Sequence, residues 1–188
     1  AQIMRELGKR VKPGTTPKEL DGIADGLILR SGGKPSFKGY EGFPATLCVS
    51  LNSVVVHGIP SGIGLKEGDI VSLDIGMLYQ SFQTDMARTW ALGKAAPEVK
   101  KLLDVTRKAL ETSIKEVKPG NRFGDIEHST QNYVESHGFS VVRQLCGHGI
   151  GRELHEEPQI MNFGKKGTGP EIKEGMVFCI EPMVSAGG

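Results

Sequence analysis

Apolar residues recur at three- and four-residue steps over 20–28, where Leu20, Ile23, Ala24, Leu27 and Ile28 share one face. That period predicts an amphipathic helix, entered through a Pro-Gly turn. A second helix with the same entry is predicted from Phe123, Ile126, Tyr133 and Val134. The clearest helix lies between them, in "PEVKKLLDVTRKALETSIKEVKPG", with Val99, Leu102, Leu103, Ala109, Leu110 and Ile114 on one face. Pro97 opens it and Pro119-Gly120 closes it. Shorter apolar runs read as strands: "ATLCVSLN" and "VVVHGI" early in the chain, "FSVVRQL" later, and two strong ones over 70–76 and 176–181, each after a Lys-Glu-Gly turn. Helices laid outside mainly antiparallel sheet make an α+β architecture.

The order of these elements repeats. "VKPGTTPKELD" (11–21) returns as "VKPGNRFGDIE" (117–127), "LRSGG" (29–33) as "VESHG" (134–138), and "LKEGDIVSLDIG" (65–76) as "IKEGMVFCIEPM" (172–183). Three echoes in one order at nearly one spacing predict two pseudo-symmetric halves, about 11–93 and 117–188. The period is too long for a solenoid, so a single pseudo-symmetric domain over 1–188 is expected.

Two strand-like runs carry an aspartate each, Asp74 and Asp85, although aspartate is a poor strand former. With Tyr79-Gln80 as a two-residue hairpin turn, Asp74 would lie directly across from Asp85, and facing like charges repel unless a cation sits between them. The echo aligns Asp74 with Glu181, so the carboxylates of both halves are expected to converge on a divalent cation, or a pair of them. "GHGIGRELHEEPQ" (147–159) supplies a nitrogen ligand, His148, between two glycines; His155 follows seven residues on. Gln159 stands four residues after His155, so a helical HExxH zinc site is excluded. His57 is a third histidine beside glycine, a capped strand end or a catalytic group.

Charge and composition narrow the class. The 38% apolar and 24% charged fractions suit a globular domain, and a net charge of +1 without a long basic run sets nucleic acid aside. No stretch approaches a membrane span and no secretory signal is visible. Three widely spaced cysteines, Cys48, Cys146 and Cys179, favour a reducing, cytoplasmic setting over a disulfide framework.

Asp74, Asp85, "VVHGIP", "GHGIGRELHEEP" and "EGMVFCIEPM" together resemble the signature segments of type I methionine aminopeptidases, in order and spacing, from about residue 10 to 184. The resemblance implies the pita-bread fold, a metallo-exopeptidase, and removal of the initiator methionine from nascent proteins by metal-hydroxide attack on the first peptide bond. It implies two divalent ions (Co, Mn, Fe or Zn) on Asp74, Asp85, His148 and Glu181, with Glu181 also serving as base. His57 and His155 would contact substrate and the tetrahedral intermediate. Tyr40, Phe43, Cys48 and Leu154 would line the methionine pocket. The implied partners are nascent N-termini with methionine before a small residue, with transient ribosome contact, and the implied state is a monomer. The family's fifth ligand, a glutamate, is expected beyond Gly188, and its opening helix is entered midway at "AQIMREL", so the domain reads as incomplete at both ends. The alternatives are a proline-directed aminopeptidase or prolidase, and a non-catalytic binding module on the same scaffold.

Overall fold

The computed structural model describes residues 1–187 and forms two compact units, Ala1–Pro97 and the residues from Glu98 onward. In the first unit, helices α1 (Gln2–Gly8) and α2 (Pro17–Arg30) precede strands β1 (Lys34–Pro35), β2 (Leu47–Leu51), β3 (Ile70–Tyr79) and β4 (Phe82–Ala91). α2 starts where the sequence says it should. Thr16 Oγ1 accepts the Glu19 N–H at 3.2 Å and Glu19 returns a carboxylate to the Thr16 N–H at 2.7 Å, a reciprocal cap before Pro17.

β3 is the spine of an antiparallel sheet. β4 pairs along its whole length on one edge, while β2 and the short β1 share the other. Alternation then sorts the faces. Val71, Leu73 and Ile75 pack with Leu47 and Val49 against Met4, Leu7, Leu20, Ala24 and Ile28 of the helices. The opposite face carries Cys48, Ser72, Asp74, Gly76, Asp85, Ala87 and Thr89, a small and polar set.

In the second unit, α3 (Pro97–Ile114) and α4 (Phe123–Ser136) precede β5 (Ser140–Val141), β6 (Cys146–Gly149), β7 (Glu156–Met161) and β8 (Val184–Ser185). β5 pairs with β8 and β6 with β7, both antiparallel. One core joins Val105, Ala109, Val134, Phe139 and Val141; another joins Phe123, Ile126, Ile160 and Ile172.

The helix bounds keep one offset along the chain: α2 and α4 are both 14 residues long, and Pro17 and Phe123, like Arg30 and Ser136, lie 106 positions apart. Each helix also uses a polar pair one turn apart to grip its own unit. Asp21 accepts the N–H groups of Thr46 and Leu47, both at 2.9 Å, and Asp25 accepts the Thr46 hydroxyl at 2.7 Å. At the positions 106 further on, Glu127 accepts the Met161 N–H at 3.0 Å and Gln131 the Gly164 N–H at 3.2 Å. Both grips answer one requirement: a strand end beside a helix has N–H donors that need acceptors.

Several expectations are corrected. The hairpin turn is Gln80-Ser81, not Tyr79-Gln80: both turn residues are left-handed (φ 48° and 67°) and Tyr79 pairs with Phe82. An aromatic pair gains more in the ladder than at a turn, and the left-handed pair matches the strand twist. "VVVHGI" is loop, because Gly58 is pressed onto the β2 backbone. A Cβ there would lie 2.2 Å from the Val49 carbonyl oxygen, and the Gly58 carbonyl accepts the Val49 N–H at 2.8 Å. Strand structure in "FSVVRQL" shrinks to Ser140–Val141, where β8 supplies only two partners. Residues 176–181 form one isolated bridge, Gly149 with Phe178, rather than a strand. On α3 the buried stripe is Val105, Ala109 and Ser113, with Leu102 packed against it, and Ile114 is exposed; the Ser113 hydroxyl reaches the buried Thr130 hydroxyl at 2.6 Å, which turns that face inward.

Two stability predictions follow from these contacts. Replacing Gln80-Ser81 by Asn-Gly relieves two left-handed side-chain-bearing residues, and we expect a gain of about 1 kcal/mol in chemical denaturation with the hairpin register unchanged. Glu127 is held above its ordinary value of 4.5 by burial, partly offset by the Met161 N–H. Above pH 4.5 the unfolded chain therefore releases this proton before the folded one does, and stability falls as pH rises toward the folded value. Glu127→Gln keeps an oxygen acceptor for Met161 and removes the titration. Melting curves from pH 4 to 8 should show the variant gaining on the parent toward neutrality; parallel curves would contradict this.

Candidate functional site

The first unit presents its candidate groups on the polar face of the β2–β3–β4 sheet. With the turn at Gln80-Ser81, Asp85 faces Gly76 and Asp74 faces Ala87, so the two aspartates are diagonal neighbours on one face rather than directly opposed. A diagonal step separates strand positions by about 7–8 Å, against about 5 Å for a facing pair, which leaves room for a cation between the carboxylates. Both are half-buried. Cys48 is the direct cross-strand partner of Asp74. Its thiol is pushed up to about 12, first by burial and then by the charges of Asp74, Asp85 and Asp21. Cys48 therefore stays a neutral thiol near pH 7 and leaves the carboxylate oxygens as the hard donors of this face.

His57 belongs to the loop after β2. It is exposed and left-handed at φ 56°, a conformation that a non-glycine residue adopts when its surroundings impose it. The imposition is visible next door, where Gly58 is locked to β2 through the Val49 bond and a 3.1 Å bond from its N–H to Ser50 Oγ. Tyr40 and Phe43 occupy a tight loop between β1 and β2, Tyr40 exposed and Phe43 half-buried.

The second unit holds the imidazoles. His148 lies in β6, only 8% exposed, at a bulge between His148 and Gly149. Pro158 in the facing strand has no N–H to continue the ladder, and bulges of this kind re-aim a side chain. Both flanking glycines are required by close backbone: a Cβ on Gly147 would lie 2.2 Å from the Cys179 oxygen, and one on Gly149 2.3 Å from the Glu157 oxygen. His148 Nδ1 donates to the Gly149 carbonyl at 2.8 Å, because a carbonyl can only accept. The other ring nitrogen, Nε2, lies 3.4 Å from Glu181 Oε1. His155 sits just before β7, its ring packed edge-on against His148 at 4.4 Å between centroids. Leu154 beside it is buried. The Cys179 N–H donates to the His148 carbonyl at 2.8 Å and ties the segment bearing Glu181 to β6. The Cys146 thiol is raised by burial first, then by the Glu181 charge.

This donor set suits a divalent cation. An imidazole Nε2 and a carboxylate oxygen 3.4 Å apart match two ligand atoms each about 2.1 Å from one ion. The Nδ1–H bond to a carbonyl is the orienting contact that ligating histidines ordinarily make. The grips made by Asp21, Asp25, Glu127 and Gln131 were absent from the sequence reading. The echo carried the signal, because it aligns Asp21 with Glu127 and repeats the four-residue step to position 25 and position 131.

The whole chain, residues 1–188, matches Metallopeptidase family M24, and the chain belongs to that family. Its similar relatives are methionine aminopeptidases. It is 50% identical to methionine aminopeptidase 1 of Bacillus subtilis over 182 residues, 97% of this chain and 73% of that protein. The methionine aminopeptidase structure from Rickettsia prowazekii superposes with a TM-score of 0.97 at 40% identity, covering 100% of this chain and 75% of that one. The one from Thermotoga maritima gives 0.96 at 47%, covering 98% and 75%. The prolidase of Pyrococcus horikoshii shares the fold alone, at 24% identity and a TM-score of 0.82, covering 96% of this chain and 50% of that one. The fold is thus the α+β pita-bread fold of these peptidases, and the chain spans about three quarters of the length of its relatives.

Replacing Gly149 by alanine should cost about 1–3 kcal/mol, since its Cβ meets fixed carbonyl oxygens rather than a movable side chain. A melting temperature equal to that of the parent would show that the close approach is not maintained in solution.

Proposed function

We propose that this chain removes the N-terminal methionine from nascent proteins and peptides, as a metal-dependent exopeptidase. Its likeness to bacterial methionine aminopeptidases over nearly its whole length is the observation that supports this reading most. In the first unit Asp74 and Asp85 are the proposed metal ligands, and in the second His148 and Glu181. Two ions drawn from Mn, Fe, Co and Zn suit a set of oxygen donors with one imidazole. Bound divalent ions would acidify water enough to supply hydroxide near neutral pH and would polarise the carbonyl of the first peptide bond.

The chain's own residues carry the remaining steps. Glu181 accepts the proton of the attacking water and returns it to the leaving amine. His57 and His155 donate to the oxygen on which charge develops. Tyr40, Phe43, Cys48 and Leu154 supply apolar surface for the methionine side chain, and Cys48 contributes as a neutral thiol. The substrates are N-termini with methionine before a small residue, met in the cytoplasm with transient ribosome contact by a monomeric enzyme. The three cysteines are free, and among the described residues no helix is long and apolar enough to cross a membrane.

Cleavage of Met-Gly-Met-Met, compared with an X-Pro peptide, tests the reading in the full-length protein. Preference for the X-Pro substrate would replace it with the proline-directed alternative. His155→Ala should lower turnover on the order of 10²–10³ without loss of metal, since the ring is proposed to donate rather than to ligate. Stoichiometric loss of metal in that variant would move His155 into the ligand set.

A further inference from the structure

The loop from Lys38 to Thr46 carries both aromatic residues proposed for the methionine pocket. Its backbone is unusual: Gly39, Glu41 and Gly42 all have positive φ, at 86°, 45° and 81°. Glu41 is not a glycine, so its conformation persists only where the surroundings hold it. The tip is held from within, since the Gly39 N–H donates to the Phe43 carbonyl and the Phe43 N–H to the Tyr40 carbonyl, both at 2.8 Å.

The two ends are held from outside, by one carboxylate. Asp25 on α2 receives the Thr46 hydroxyl at 2.7 Å and Lys38 Nζ at 3.1 Å. A single side chain thereby joins the first and last residues of the loop. Thr46 is fully buried, the Asp25 side chain is 28% exposed and that of Lys38 56% exposed. β2 does not depend on this contact, because Asp21 one turn earlier holds the Thr46 and Leu47 N–H groups independently. In the second unit an uncharged amide, Gln131, stands at the matching step and binds a backbone N–H. A charge at Asp25 is therefore more than holding a strand requires.

We propose that Asp25 is a positioning residue for substrate recognition, which closes the Lys38–Thr46 loop and so sets the placement of Tyr40 and Phe43. The inference rests on the reading of those two residues as pocket wall. Asp25 itself touches no substrate and acts through the loop. Its Lys38 arm is solvent-exposed and weakens with salt, whereas the Thr46 arm is shielded.

The test compares Asp25→Ala, Asp25→Asn and Lys38→Met in the full-length, metal-loaded protein, by amide hydrogen exchange and by steady-state kinetics on Met-Gly-Met-Met. Loss of hydrogen bonds to a charged group should speed exchange in residues 39–45 about tenfold in Asp25→Ala and leave 47–51 unchanged. KM should rise about tenfold with kcat within about twofold, the signature of lost binding rather than lost chemistry. Asp25→Asn, which keeps an acceptor oxygen but removes the charge, and Lys38→Met, which removes the Lys38 arm, should fall between the parent and Asp25→Ala in both measurements, and they decide the matter if Asp25→Ala does not fold. Unchanged exchange in 39–45 would overturn the clasp. Faster exchange with unchanged KM, or with a loss confined to kcat, would overturn the link to recognition and with it the pocket role of Tyr40 and Phe43. A parent protein that leaves the peptide uncut would overturn the proposed function and the recognition role together, while the exchange data would still decide the clasp.

Discussion

A two-residue turn at Gln80-Ser81 decides which side chains of β3 and β4 share a face and how they are staggered. Every pairing between the two strands descends from it, because a strand's side-chain period is two and a register shift moves whole sets of residues. The observed register puts Val71, Leu73 and Ile75 against the helices and leaves Asp74 and Asp85 as diagonal neighbours on the other side. A shift of the turn by one residue changes the stagger by two positions and brings the carboxylates face to face. The diagonal is the arrangement in which two acids can share a face and still leave space for a cation. Opposite Asp85 the strand carries Gly76, where a Cβ would come within 2.6 Å of the Phe37 ring, so the site face and the packing around Phe37 constrain the same residue.

The second unit solves a different problem, that of aiming one imidazole. Glycines at 147 and 149 let the backbone of 179 and 157 close on β6, and the bulge at His148 breaks the ladder beside Pro158. The ring is then fixed by its own neighbour's carbonyl, and its other nitrogen lies beside Glu181. The Nδ1 proton follows from a carbonyl's inability to donate, and the direction from a backbone that only glycine permits.

The helices were legible because their periods are long and their Pro and Gly punctuation explicit; the Thr16–Glu19 cap at the start of α2 was a further signal that the period alone did not use. The family was legible because several short signatures lie in one order, and the whole chain does match Metallopeptidase family M24. Strands were harder. "VVVHGI" has the composition of a strand, yet its glycine is spent on contact with β2, and that contact is written in the fold rather than in the segment. Residues 176–181 likewise have the apolar run of a strand, but the Cys179 N–H to the His148 carbonyl and the Ile150 N–H to the Val177 carbonyl make an isolated bridge rather than a ladder. The hairpin turn was misplaced by one residue because Tyr79 scores as a turn neighbour in sequence and as an aromatic ladder partner in space. The polar grips of α2 and α4 were hidden for the opposite reason. Asp21 and Glu127 look like solvent-facing residues of amphipathic helices until their acceptor oxygens are seen on strand N–H groups.

The carboxylates staggered by the Gln80-Ser81 turn are proposed to be metal ligands and not merely tolerated acids of a polar sheet face. Titration calorimetry with Mn²⁺, run on the parent and on Asp85→Asn after exhaustive dialysis against chelator, tests it most directly. Asparagine keeps the size and strand position of Asp85 while replacing one carboxylate oxygen by an uncharged NH2, so circular dichroism should be unchanged. Stoichiometric binding by the parent and loss of tight binding in Asp85→Asn are expected; equal affinity in the two proteins would overturn the ligand role.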